Sequence, residues 1–284
     1  MKVAVIGPTG VLGRALIPQL LEAGYAVRAV ARSGRKAQTL FSAHVEIVEY
    51  DLLAPDNGNR LPDAIAGCEA VLHIATSIPA DFNAPHAWDV NNRLRTEGVE
   101  RLLHASLAVN AQRYVQQSIT MAYPDHGDEW ITEDMPLGLG PIVIAMENLV
   151  RSVEVDRLAW TIVRGGTFVG PATFQVDTIE RLRAGREVVP GDGRNFVALI
   201  HVADMASAIV AALDRAPAGS TFNIVAEPVR NGAYRDRLAA TIGVPAPPRD
   251  PTLPRPPSWR SSNAAARQTL KWSPTHGLYP SKES

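Results

Sequence analysis

The sequence predicts an α/β chain: a doubly wound parallel sheet with a smaller C-terminal lobe. Three observations point to it. Residues 3–13 read Val-Ala-Val-Ile-Gly-Pro-Thr-Gly-Val-Leu-Gly, a short apolar run broken by glycines at 7, 10 and 13 that passes directly into a helical pattern. Strand-like runs then recur at 45–48, 70–74, 113–117 and 160–163, alternating with helical segments, which implies right-handed crossovers and a Rossmann-type sheet. After Gly170-Pro171 the alternation loosens. The expected division is therefore 1–170, with 196–225 returning to it, and a small lobe made of 171–195 and 226–284.

In chain order, the run ending at Ile6 is a first strand, and Leu12, Leu16, Leu20 and Leu21 share one face of the helix that follows. Gly24 ends that helix, and residues 27–30 start the second strand. Val99, Leu102, Leu103 and Leu107 form a buried stripe on a helix over 98–108, with Arg95, Glu97 and Arg101 facing water. The later segment predicts a helix over 175–184, a Pro-Gly-Asp-Gly turn at 190–193, a strand into Ile200 and a helix over 202–213. Seven prolines in residues 245–257 exclude a helix or central strand there and predict an extended surface segment.

Composition narrows the function. With 284 residues, 46% hydrophobic and 20% charged, the chain is long enough for one large domain with an appended lobe. Its net charge is −1, with 28 Lys and Arg scattered among 29 acids, so no basic stripe predicts a nucleic-acid partner. The apolar runs are strand-length and no leader precedes the first strand, so no membrane partner and a cytoplasmic location are expected. The lone Cys68 excludes an intrachain disulfide and a cysteine metal cluster, and no His or carboxylate spacing suggests a metal.

The glycine turn predicts a dinucleotide. Gly7 permits the turn, Gly10 leaves room for a ligand beside the backbone, and Gly13 lets the helix pack on the strand. Free amides of the first helical turn and the positive end of the macrodipole then face a pyrophosphate, with Gly7, Thr9, Gly10, Val11, Leu12 and Gly13 as the contacting residues. The tip of the second strand carries no carboxylate, whereas Arg32, Arg35 and Lys36 follow it. An arginine can hold a 2′-phosphate through two parallel bonds, which favours NADP over NAD.

These residues resemble the short-chain dehydrogenase/reductase superfamily, in its extended and atypical, epimerase/dehydratase-like branch. The resemblance spans nearly the whole chain. It rests on the glycine turn, Asp51-Leu52, Val71-Leu72-His73-Ile74-Ala75, Tyr114-Val115-Gln116-Gln117-Ser118, the run 164–171, the run 200–206 and a shortened closing motif from Ser262 to Pro274. It implies that Asp51 and Leu52 flank the adenine, that Ala75 and Thr76 lie along the cofactor, and that Gly166 and Thr167 approach the nicotinamide.

The superfamily's usual proton-transfer pair, a Tyr with a Lys one helical turn later, is missing. The only lysines are Lys2, Lys36, Lys271 and Lys282, none four residues after a tyrosine. If Glu147 marks the helix's usual glutamate, the pair's places hold Leu139 and Val143, and the companion serine's place holds Ile119. Ser118 and Thr120 flank Ile119, though strand alternation points both one way and Ile119 the other. Tyr123 matches a tyrosine at the substrate mouth in the superfamily. Tyr123, Ser118 and Thr120 are therefore the catalytic candidates, with His126, His201 and Glu147 as further proton-handling groups.

Three functions compete on this reading. The first is an NADP-dependent oxidoreductase acting on a small carbonyl-type substrate, with Phe168, Phe174 and Phe196 lining an apolar pocket. The second is a catalytically silent NADP(H)-sensing regulator or scaffold. The third is a nucleotide-sugar epimerase or dehydratase, disfavoured by the basic loop and the missing lysine. A monomer or homodimer is expected.

Overall fold

A computed structural model describes residues 1–55 and 60–281. In chain order its elements are β1 (Lys2–Ile6), α1 (Val11–Glu22), β2 (Ala26–Ala31), α2 (Gly34–Leu40), β3 (Val45–Glu49), α3 (Arg60–Ile65), β4 (Ala70–His73), α4 (Asp89–Arg95), α5 (Glu97–Ala108), β5 (Arg113–Ile119), α6 (Pro141–Arg151), β6 (Ala159–Gly165), β7 (Thr167–Val169), α7 (Phe174–Arg183), β8 (Val189–Pro190), β9 (Phe196–Val197), β10 (Leu199–His201), α8 (Val202–Arg215), β11 (Ser220–Ile224), β12 (Val229–Arg230), α9 (Asn231–Thr241), β13 (Arg249–Asp250) and α10 (Ala264–Leu270).

The central sheet has seven strands in the order β11-β6-β5-β4-β1-β2-β3, the doubly wound arrangement expected from the sequence. β1 pairs in parallel with β2 on one side and β4 on the other, so the chain reverses its direction of winding at β1 and β4. Open sheets of this kind bind ligands beyond the carboxyl ends of the strands at such a reversal. Gly7 and Ala75 follow those two strand ends.

The contacts divide the chain into two compact units. The first comprises Met1–Ser118, Gly140–Val163 and Ile209–Thr221; the second comprises Ile119–Leu139, Arg164–Ala208 and Phe222–Ser284. Within the first unit, Val3, Val5, Leu16, Leu20, Leu72, Val99 and Leu102 are buried, as their periodicities dictate. His73 on β4 is sealed in the same core, 3.1 Å from Gln116 Oε1, and the Tyr114 hydroxyl donates to that oxygen at 2.9 Å. Burial pushes the His73 pKa down to about 4, so the ring is neutral near pH 7.

The second unit is built from short pairings: β7 with β10, β9 with β12 and β8 with β13. Val169, Leu182, Leu199, Tyr234 and Leu238 form its core. The proline-rich segment contributes only the two residues of β13, which pair with an edge where Pro190 needs no ladder donor.

α8 begins where the sequence predicts, and its Asp204 anchors the C-terminal segment. The buried carboxylate accepts from the Thr275 amide at 3.1 Å, the His276 amide at 2.9 Å and His276 Nδ1 at 2.7 Å. Burial opposes the charge, but these hydrogen bonds outweigh it and hold the Asp204 carboxyl below its ordinary pKa. Stabilisation by a carboxyl with a depressed native pKa is complete above the unfolded pKa of about 3.9 and is lost as pH falls through the native value. Asp204→Asn is thus expected to cost about 3 kcal/mol at pH 7. Urea unfolding should show the two proteins converging in stability as pH falls below about 4. A constant difference from pH 7 to pH 3 would remove the carboxylate from this role.

Candidate dinucleotide site and substrate pocket

The glycine turn supplies a binding position that the fold leaves open. A Cβ on Gly13 would stand 2.2 Å from the Pro8 carbonyl oxygen, and one on Gly7, at φ +92°, 2.6 Å from Ala75 Cα. Packing alone demands those two glycines. Gly10 differs: a Cβ there would meet nothing closer than Gly7 O at 3.5 Å. α1 starts at Gly10 with no side-chain cap and no acid in its first turn. Val11, Leu12 and Gly13 therefore present first-turn amides beside an open position, the condition an anionic pyrophosphate requires. Thr9 is half-buried in the turn.

α2 is finished differently. Ser33 accepts from the Lys36 amide, and Glu49, reaching across from the end of β3, accepts from the Gly34 amide at 2.6 Å. Sequence reasoning missed Glu49, because its carboxylate comes from the neighbouring strand rather than from the tip of β2. Arg32, Arg35 and Lys36 are exposed around it and make no ion pair among the described residues. Asp51 is also exposed and accepts from the Leu53 amide, while Leu52 packs where Gly98 leaves room for it. Ala75 is half-buried against Gly7 and Thr76 is exposed.

In the second unit, Gly166 is required by close backbone approach, since a Cβ would lie 2.8 Å from Ala198 O. The Thr167 amide donates to that same carbonyl at 2.8 Å.

The three catalytic candidates present no hydroxyl to solvent. Ser118, Thr120 and Tyr123 are each 0% exposed. The Ser118 hydroxyl donates to Glu147 Oε1 at 2.7 Å, and Thr120 Oγ1 donates to Gly165 O at 3.4 Å. Arg164 donates to the Tyr123 oxygen, whose own proton goes to Asn223 Oδ1 at 3.0 Å. Burial pushes the Tyr123 phenol above its ordinary pKa, with Arg164 pulling the other way. Ile119 and Met121, by contrast, are partly open, as strand alternation predicts for Ile119.

Glu147 is buried on α6, with Arg151 3.4 Å from its second oxygen. Arg95, buried on α4, loses solvation there and is supported by the charge of Glu147. His201 stacks on His276 with ring centres 4.6 Å apart, and His126 lies half-buried in the loop after Tyr123.

The second unit also encloses a cavity of about 230 Å³ whose wall includes Thr167, Phe168, Phe174, Tyr234, Arg235 and Trp259. Phe196, expected in the same lining, instead carries Arg230 and Arg260 over its ring at 4.3 and 5.1 Å. Cation–π contact fixes it there, in a stack that continues from Arg260 to Trp130.

Residues 3–225 match the NAD dependent epimerase/dehydratase family. The chain belongs to that family. Across 97% of its own length and 97% of the other's, it is 31% identical to a 3-diazoavenalumate denitrifying reductase of a Streptomyces species. It is 26% identical, over 87% of its length and 75% of the relative's, to a 4-hydroxy-2-methyl-3-oxo-4-farnesyl-3,4-dihydroquinoline-1-oxide ketoreductase of Stigmatella aurantiaca. Its fold is that of UDP-glucuronic acid 4-epimerase from Bacillus cereus, solved with UDP-glucuronic acid and NAD: TM-score 0.80 at 21% identity, covering 98% of this chain and 95% of that one. Family membership and the open glycine turn agree on a dinucleotide. Among the described residues no cluster of three His, Cys, Asp or Glu suits a metal, and no helix is long and apolar enough to cross a membrane.

Proposed function

We propose that this family member is an NADP(H)-dependent reductase of a small organic molecule, and that its hydride transfer proceeds without a proton from the protein. The observation that carries the reading is the absence of any tyrosine followed four residues later by a lysine, with the hydroxyls of Ser118, Thr120 and Tyr123 buried and already bonded; with Glu147 taken as the helix's usual glutamate, the pair's places hold Leu139 and Val143 and the serine's holds Ile119. Reducing a carbonyl develops negative charge on oxygen and calls for an acid. Substituting hydride for a leaving group does not. The relative named a denitrifying reductase of a diazo compound fits this distinction, while the relative named a ketoreductase keeps the carbonyl class as the comparison.

The bound cofactor supplies the hydride; the chain holds its phosphates at the turn from Gly7 to Gly13 and shapes an apolar acceptor pocket. With an aryl diazonium acceptor, the carbon–nitrogen bond breaks and its electron pair leaves with dinitrogen. The electron pair of the hydride that a dihydronicotinamide would supply, with its phosphates held at Gly7 to Gly13, would form the new carbon–hydrogen bond. No proton moves.

NADPH deuterated at the transferring position should therefore place one deuterium on the carbon that bore nitrogen, with one dinitrogen per cofactor consumed and no label from heavy water. Simple ketones should react at least ~10²-fold more slowly, the scale of one missing general acid. Tyr123→Phe should cost about 1–3 kcal/mol of stability, by leaving Arg164 short of an acceptor, and change turnover by less than about tenfold. Fast ketone reduction that collapses in Tyr123→Phe would restore Tyr123 as the acid and overturn this reading. Tight NADPH binding with no turnover of either class would favour the sensor.

The preference for NADP rests on Arg32, Arg35 and Lys36, which are exposed and free of ion pairs among the described residues, while Glu49 is engaged by the Gly34 amide. A charge-assisted contact to the 2′-phosphate is worth about 1.5–3 kcal/mol, so NADPH should bind at least about tenfold tighter than NADH. Arg32→Asp is expected to reverse that order, and Glu49→Gln to widen it. Equal affinities in a wild-type titration would remove the 2′-phosphate from this corner.

A further inference from the structure

We infer that the cavity of the second unit is a binding site for a small aromatic carboxylate, with Arg235 receiving the carboxylate and Phe168, Phe174, Tyr234 and Trp259 enclosing the ring. This names a substrate class for the proposed reductase, and it rests on that reading for its place in catalysis but not for binding.

Size is the first argument. At about 230 Å³ the cavity falls below the roughly 300–1,000 Å³ of pockets for drug-sized ligands, so it suits one ring with a short chain and not a nucleoside diphosphate sugar. Its aromatic wall matches a flat apolar guest, for which offset or edge-to-face contacts are favourable.

Charge is the second argument. The polar side chains of the wall are mostly committed. Gln175 donates to the Tyr234 hydroxyl at 2.8 Å and to Leu278 O at 2.7 Å, and accepts from the Gly170 amide at 3.0 Å. Asn231 accepts from Arg235 and donates to Asn195 Oδ1 at 3.4 Å. Arg235 keeps capacity: Nε donates to Glu187 at 2.7 Å and Nη1 to Asn231, leaving Nη2 without a partner among the described residues. Glu187 is itself shared, since Arg181 donates to its other oxygen at 2.6 Å. Two guanidinium groups thus face one carboxylate, and the cluster carries a spare positive charge beside an apolar cavity. A planar anion complements that arrangement better than a neutral amide or a dianionic diphosphate.

The test is calorimetric titration of the full chain with trans-cinnamate, cinnamamide and UDP-glucuronate, with and without NADP. Cinnamate should bind at least tenfold tighter than cinnamamide. Arg235→Met should bring the two within twofold while leaving cinnamamide unchanged, and Phe174→Ala, at the exposed rim, should weaken both. Because Arg181 still holds Glu187 in Arg235→Met, the variant should fold, which a melting curve checks. Equal binding of the acid and the amide by wild type, a full preference surviving Arg235→Met, or displacement of cinnamate by UDP-glucuronate would each overturn the assignment. Since binding is read without turnover, failed hydride transfer leaves this result standing. Conversely, hydride transfer confined to acceptors without a carboxylate would sink this site and spare the reductase.

Discussion

Gly10→Val is expected to abolish dinucleotide binding, weakening it on the order of 10²-fold or more, while the protein keeps its fold and its melting temperature within a few degrees. The prediction follows from the different surroundings of the three glycines. A side chain at Gly10 enters space that the protein itself leaves open, next to uncapped helix amides. A side chain at Gly13 collides with the Pro8 backbone, and one at Gly7 with Ala75 at a backbone angle that L-residues rarely adopt. Gly13→Ala should therefore lose folded protein outright, with binding lost as a by-product. Calorimetry with NADPH beside circular-dichroism melts separates the two cases. Full binding by a folded Gly10→Val protein would place the phosphates elsewhere.

Glu147→Ala should be strongly destabilising to the first unit. The carboxylate is buried, accepts from Ser118, lies beside Arg151 and offsets the charge of buried Arg95. Its removal leaves Arg95 as an uncompensated buried cation, a loss of about 3–5 kcal/mol. At roughly 2–4 °C per kcal/mol, the melting temperature should fall by about 10 °C. Glu147→Gln keeps an acceptor for Ser118 and should fall less. A shift of under about 2 °C in Glu147→Ala would mean that water already solvates Arg95.

The parts of this protein legible in its sequence are those fixed by local periodicity. The strand, turn and helix from Lys2 to Glu22 are written in alternating and helical spacings, and α8 follows a strand-to-helix boundary that its apolar stripe marks. α9 escaped notice because Asn-Gly-Ala-Tyr-Arg-Asp-Arg shows no apolar stripe; its Tyr234 and Leu238 are buried by a partner surface that only tertiary packing creates. Around the candidate site the same division holds. Alternation turns Ser118 away from Ile119, whereas Thr120 lies past the end of β5 and owes its burial to the turn that follows. That Glu49 would reach the Gly34 amide, or that Arg164 and Asn223 would enclose the Tyr123 hydroxyl, depends on residues 15, 41 and 100 positions away. Phe196 shows the limit most plainly, since an aromatic residue reads as pocket lining until the arginines that stack on it are seen.

The interleaving of the two units also sets the order in which this protein can be completed on the ribosome. When residues 1–118 have emerged, β1 to β5 are available, but β5 still waits for β6, which begins at Ala159, and β6 waits for β11, which begins at Ser220. Until then the nascent sheet ends on β5 or β6, strands that are interior in the finished sheet, and such an edge is a template on which chains join one another. At about 5–20 residues per second the exposure lasts seconds, long compared with hairpin or helix formation. A truncated chain ending before β11 would keep β6, an interior strand of the complete sheet, as its edge, and its fate would be association rather than a smaller working domain.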